Sequence, residues 1–191
     1  MMTMSELRIY VQQFNEIWFP ADQSFPKYWF RARDSKFRNV ITQLCEKHAH
    51  VTHDIISQGS IDDILARMRS EDWSPAESVI LAIMVDQMPR NALAINFREF
   101  RDADPKDVSA IKTDSFSHSL AAELLKAVNL RDIRDIRVIC FFSLIFRHAN
   151  DFPVTRLVLS TLQRPDGTLP DLAQKFWNET EKREQSLTAS A

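Results

Sequence analysis

Gly59 and Gly167 are the only glycines in a chain of 191 residues. Glycine ordinarily makes up about 7% of a protein and supplies the positive-φ positions of tight hairpins, bulges and phosphate-cradling loops. Two of them cannot serve many hairpins, a dinucleotide fingerprint or a P-loop. An all-β fold and a nucleotide-binding α/β fold are therefore disfavoured, and an all-α chain is the architecture that needs glycine least. The length suits one domain with a sizeable core. The expected layout is a single helical domain over 1–181 followed by a polar, frayed tail over 182–191.

Hydrophobic spacing predicts about eight helical segments and no strand. Leu7, Val11, Phe14 and Trp18 form a stripe at helical spacing, ended by Pro20, which disfavours helix in the residue before it. A second helix is expected over Tyr28 to Leu44, and Cys45 to Ser60 carries the weakest pattern. Gly59 suits a helix end and Ser60 the next helix start, with Ile61 to Met68 as a short helix. Ser74-Pro75-Ala76-Glu77 is the clearest helix start: a capping serine, a proline in the first turn, and a glutamate at the reciprocal capping position. The run Val79 to Val85 is apolar on every face, which predicts a central, covered helix, with Pro89 expected to kink or break it. Asn96 to Asp107 is expected as a surface loop, and Thr113 to Val128, Arg131 to His148, Val154 to Leu162 and Leu169 to Glu181 as helices.

Composition narrows the partners. Lys plus Arg number 24 against 26 Asp plus Glu, a formal charge of −2, so there is no basic excess for nucleic acid. The longest apolar runs fall well short of the ~20 residues of a membrane-spanning helix. Cys45 and Cys140 lie within apolar stretches, as buried free thiols do. With no secretory leader pattern at the start, the expectation is a cytoplasmic protein with no membrane partner; self-association is left open.

Two places break the apolar pattern. In the first, the all-apolar helix runs into Asp86-Gln87-Met88-Pro89-Arg90-Asn91. A carboxylate buried without a partner costs several kcal/mol, so Asp86 must be paired or face a solvated pocket. Arg90, at i+4, is its nearest candidate. The pair reads either as a structural staple or as the polar floor of a pocket. In the second, Phe141 to Phe146 ends in Arg147-His148-Ala149-Asn150-Asp151. His148 and Asp151, at i and i+3, could hydrogen-bond and fix the imidazole tautomer. Arg147 and Asp151 could instead form a surface pair, and His148 could simply cap the helix. Among weaker signals, His48, His50 and His53 invite a metal reading, but only His50 and His53 share a helical face and no metal motif surrounds them. Ser117-His118-Ser119 is expected to face solvent. No metal and no organic cofactor is implied.

These stretches resemble the family called domain of unknown function 924. Leu81 through Asp86-Gln87-Met88-Pro89-Arg90-Asn91 is similar to its signature, an apolar helix running into Asp-Gln-Phe-Pro-Arg-Asn. Trp73 and Pro75, the steps Trp18-Phe19 and Trp29-Phe30, and Phe37 fit its other landmarks. Phe142 to Asp151 resembles its Phe-Leu-Tyr-x-Pro-Phe-Glu-His-Ser-Glu-Asp, placing His148 and Asp151 at its His and Asp, and Asp114 at its Phe-Ala-x-Asp aspartate. The resemblance spans about residues 11 to 155 and implies an all-α, tetratricopeptide-like array of helical hairpins. Ile145, Arg147, Ala149 and Asn150 depart from the pattern, 45–72 and much of 96–112 read as insertions, and the family's C-terminal histidine segment has no counterpart. The chain thus resembles a divergent, shortened member. No established activity comes with the family.

Two functional readings follow. One is a cofactor-independent enzyme or binder for an organic small molecule, of isomerase, lyase or cyclase type, with an enclosed pocket between the helices ending at Asp86 and His148. Asp86 or His148 would move the proton, Arg90 would orient the substrate or steady an oxyanion, and Trp18, Trp29, Gln87, Asn91 and Asp151 would bind. The other is a non-catalytic helical module that docks a protein partner on a concave face.

Overall fold

The computed structural model describes residues 2–24, 26, 29, 35–95, 97 and 110–189. Among them are eight α-helices and no strand. In chain order they are α1 (Met4–Trp18), α2 (Arg38–Gln58), α3 (Ile61–Ser70), α4 (Pro75–Ala94), α5 (Ala110–Ala127), α6 (Ile136–His148), α7 (Phe152–Ser160) and α8 (Asp171–Ala189). Short 3₁₀ turns precede α2, at Ser35–Phe37, and α6, at Leu130–Asp132. The expected loop at Asn96 to Asp107 lies, except for Phe97, outside the described residues, as do Tyr28 and Phe30 at the expected start of the second helix.

The helix starts have local chemical causes. Ser74 Oγ accepts from the Glu77 backbone N–H at 3.2 Å while the Glu77 carboxylate accepts from the Ser74 N–H at 2.9 Å, the reciprocal cap expected from the sequence. Thr3 and Glu6 make the same arrangement at the start of α1. Asp135 and Asp151 cap α6 and α7.

The apolar run of α4 becomes the axis of the molecule. Every residue from Ser78 to Pro89 is buried, and α4 packs against α1, α2, α5 and α6. Helix α4 does not end at Pro89: it continues to Ala94, with Pro89 buried inside it. A proline in a helix interior removes one hydrogen-bond donor and crowds the preceding turn. Here the apolar packing on all sides holds the helix together across that fault.

Several boundaries differ from the expected ones. Cys45 to Gln58, the weakly patterned region, is continuous helix within α2. Arg131 to Asp135 is not part of α6, which starts at Ile136. The C-terminal segment from Lys182 to Ala189 belongs to α8 rather than to a frayed tail, and Arg156 of α7 donates to Glu184 at 2.7 Å within it.

Trp18 and Trp29, expected as pocket walls, are core. Trp18 is fully buried and Trp29 nearly so, and both meet the Phe141 ring edge-on, at centroid distances of 5.8 and 4.5 Å. The Trp29 indole N–H donates to the Trp18 carbonyl at 2.8 Å. Large rings at the foot of a helical array gain more from mutual packing than from lining a wet cleft.

Candidate functional site

The second half of α4 and the C-terminal end of α6 meet. Asp86 has no solvent exposure and receives four donors from three helices. Its Oδ2 accepts from Gln87 Nε2 at 2.8 Å and from His148 Nδ1 at 2.9 Å. Its Oδ1 accepts from Arg90 Nε at 3.2 Å and from Ser117 Oγ at 3.3 Å. Arg90 also bonds Asp114 of α5 through Nη2, so its guanidinium bridges two carboxylates. Asn91 bonds back to the Gln87 carbonyl at 2.7 Å and stays buried.

Electrostatics follow from this arrangement. Burial alone would raise the Asp86 carboxyl, but the charges and hydrogen bonds of His148 and Arg90 outweigh it and bring the carboxyl down to about 2. Asp86 is therefore a fixed anion at neutral pH. Asp114 goes the other way: partial burial and the nearby Asp86 charge raise its carboxyl in spite of Arg90.

An open cleft of about 630 Å³ lies directly outside this cluster, lined by residues of α5 and of the α6–α7 junction that include Asp114, His118, His148, Asn150 and Asp151. Its volume falls within the ~300–1,000 Å³ of small-molecule sites, although the enclosed pocket expected from the sequence is here a broad, open one. His148 is the member of the Asp86 cluster that reaches it together with Asp114; the His148 side chain is 16% exposed. With Nδ1 held by Asp86, Nε2 is the nitrogen left for the cleft. Asp86, Arg90, Gln87 and Asn91 do not line it. Of the expected pair Asp86 and His148, only His148 can touch a ligand, and Arg90, committed to two carboxylates, is not a free oxyanion holder.

A second imidazole–carboxylate pair faces the same cleft. His118 Nε2 sits 3.1 Å from Asp151 Oδ2, and the His118 ring packs edge-on against Phe146. This corrects two expectations. Asp151 pairs with His118 rather than with His148 or Arg147, and of the expected solvent face Ser117-His118-Ser119 only Ser119 is exposed, Ser117 being buried and His118 half-buried. A helix of serines around a histidine carries no apolar stripe to distinguish a cleft wall from a solvated side. The available signal was that Ser117 and His118 stand one turn after Asp114 on α5.

Other groups fall away from the site. His48 is fully buried in α2, between the Leu44 carbonyl at 3.0 Å and the Tyr10 carbonyl at 3.2 Å. Among the described residues no three His, Cys, Asp or Glu side chains are grouped to hold a metal. Burial pushes the Cys140 thiol up to about 12, with Asp135 adding to the shift, so it is no ready nucleophile. No described helix is long and apolar enough to cross a membrane.

Comparison with known proteins adds nothing to this geometry: no family model, no curated protein and no solved structure matches the chain.

Proposed function

We propose that this chain binds an organic small molecule in the α5–α6 cleft and catalyses a cofactor-independent proton transfer on it, of isomerase, lyase or cyclase type. The observation that carries this reading is the His148–Asp86 pair. A wholly buried carboxylate, charged at neutral pH, holds Nδ1–H, presents Nε2 to the cleft as a base, and stabilises the imidazolium once the proton has moved. Asp86, Arg90, Gln87 and Ser117 are positioning residues in this scheme. His118, held by Asp151, supplies a second proton carrier on the same cleft. Removal of a proton at one substrate position by His148 and its return at another, or loss of a leaving group protonated by His118, balances without a redox partner.

Kinship with the family of unknown function 924, and with it a tetratricopeptide-like ordering of the helical hairpins, belongs to this proposal. It is supported by the motif from Asp86 to Asn91, whose carboxylate, amide and guanidinium all converge on one buried cluster.

Proton transfer leaves a mark that needs no knowledge of the substrate. The protein is incubated with a metabolite extract in D₂O, and the mixture is searched by mass spectrometry for compounds that gain one mass unit. Wild type is expected to label one compound or a few related ones. His148→Gln is expected to label them at least ~10²-fold more slowly, the usual worth of general acid–base help. An extract that raises the melting temperature of wild type and variant alike, with no label in either, would sink the catalytic reading and favour a binding module.

A further inference from the structure

The charges around the α5–α6 cleft are unevenly matched. Asp114 and Asp151 line it, and the buried Asp86 carboxylate holds His148 from behind. Against these three carboxylates stands the Arg90 guanidinium, which is spent on Asp86 and Asp114 and does not line the cleft. Among the described residues no lysine or arginine lines it. Arg183 reaches only its edge, with Nε and Nη2 on the Asn150 side-chain oxygen at 3.3 and 3.1 Å. A cleft lined by one sign of charge concentrates ligands of the other sign.

One carboxylate oxygen there is left over. Asp151 uses Oδ2 for His118 and Oδ1 for the Val154 N–H, at 3.1 and 3.3 Å. Asp114 uses Oδ1 for Arg90, while its Oδ2 has no partner among the described residues and the side chain is 27% exposed. Burial and the Asp86 charge press on this carboxylate, Arg90 relieving it in part, so a second positive charge beside it is stabilising. Ser115 and Ser119, one helical turn apart, also line the cleft, and neither hydroxyl bonds a described residue. Among the described residues no three ligating side chains are grouped for a metal, so the cation that suits this wall is an organic one. An ammonium brings three N–H donors to a free carboxylate oxygen and its neighbouring hydroxyls.

We propose that the ligand of the cleft is a cationic amine, its ammonium held by Asp114 and Ser115 and its remainder set toward His148. This rests on the reading that the cleft holds a small organic molecule. It narrows that molecule to one with a positive charge and sets phosphate esters and simple carboxylates aside.

The test uses three probes on the full chain that share a two-carbon hydroxylated skeleton: ethanolamine, ethylene glycol and glycolate. Each is titrated while the His118 and His148 ring signals and the Asp114 and Ser115 amides are followed by nuclear magnetic resonance. Ethanolamine is expected to shift them saturably, and the neutral and anionic probes to bind at least tenfold more weakly. Asp114→Asn is expected to weaken ethanolamine binding at least tenfold. Because that change also frees Arg90, Ser119→Lys serves as a second variant: it places a cation at an exposed position of the wall, leaves the Arg90 pair alone, and should weaken ethanolamine binding as much. Asp62→Asn, an exposed carboxylate on α3, should leave it unchanged. Ethanolamine that does not saturate, glycolate that binds as well, or an equal loss in Asp62→Asn overturns the proposal. Ethanolamine binding without deuterium labelling of any extract compound sinks the proton-transfer reading alone. Labelling confined to anionic or neutral compounds sinks the amine proposal alone.

Discussion

Removing the Asp86 carboxylate would leave an imidazole and a guanidinium facing a hole in the interior. Asp86→Ala is therefore expected to lower the unfolding free energy by ~3–5 kcal/mol, the usual cost of breaking a buried ion pair from one side. Asp86→Asn keeps the shape but places an N–H against donors, and should cost about 1–3 kcal/mol. Urea denaturation measures both. The pH dependence has a definite sign. The folded carboxyl lies below its unfolded value near ~3.9, so its contribution is complete above that pH and is lost as pH falls toward about 2. The gap between wild type and Asp86→Asn should close over that window, and a gap that stays constant would remove Asp86 from its role as the fixed anion. The Asp86–Arg90 contact was legible in the sequence because both residues share one helix, four apart. The nearness of His148 was expected as a shared pocket between the two helices, but its hydrogen bond to Asp86 was not legible. Its partner lies 62 positions away, and the carboxylate nearest in sequence, Asp151, is taken by His118 from a third helix.

At the scale of the element, Gly59 shows why so glycine-poor a chain keeps this one. Its φ is −75°, which any residue can adopt. A side chain there is excluded by contact instead: a Cβ would stand 2.3 Å from the Ile55 carbonyl oxygen, a backbone atom that cannot swing aside. Gly59→Ala is expected to destabilise by about 1–3 kcal/mol, as overpacking does. A thermal melt that leaves the midpoint unchanged would mean that the junction between α2 and α3 relaxes freely. The sequence placed a helix end at Gly59, yet missed the helix leading up to it. The buried residues of α2 are Ile41, Leu44, Cys45, His48, Ala49, Val51, Thr52 and Ile56, and two of those eight are polar. The Thr52 hydroxyl bonds the Ala49 carbonyl at 2.9 Å, and His48 lies against two carbonyls. Hydrophobic spacing alone cannot register a face whose polar members are satisfied by backbone groups. Helix α4, apolar throughout, was legible for the opposite reason.

For the molecule as a whole, the same His48 couples folding to mild acid. Its ring joins α1 to α2, with one nitrogen near the Leu44 carbonyl of its own helix and the other near the Tyr10 carbonyl of α1. Two carbonyls facing one imidazole favour its charged form, since only the cation can donate to both. Burial opposes this and prevails, holding the pKa below the ordinary value. The unfolded chain, with a histidine near ~6.5, therefore binds more protons than the folded one as pH falls below that point. Stability rises with pH wherever the unfolded state holds more protons, so acidification through this range draws the equilibrium toward unfolding. The urea midpoint of wild type is expected to fall between pH 7.5 and pH 5.5. His48→Gln retains an amide donor and acceptor but cannot titrate. It should start less stable at pH 7.5 and lose less on acidification. If both proteins fall in parallel, the contact between α1 and α2 is not what gives the molecule its acid sensitivity.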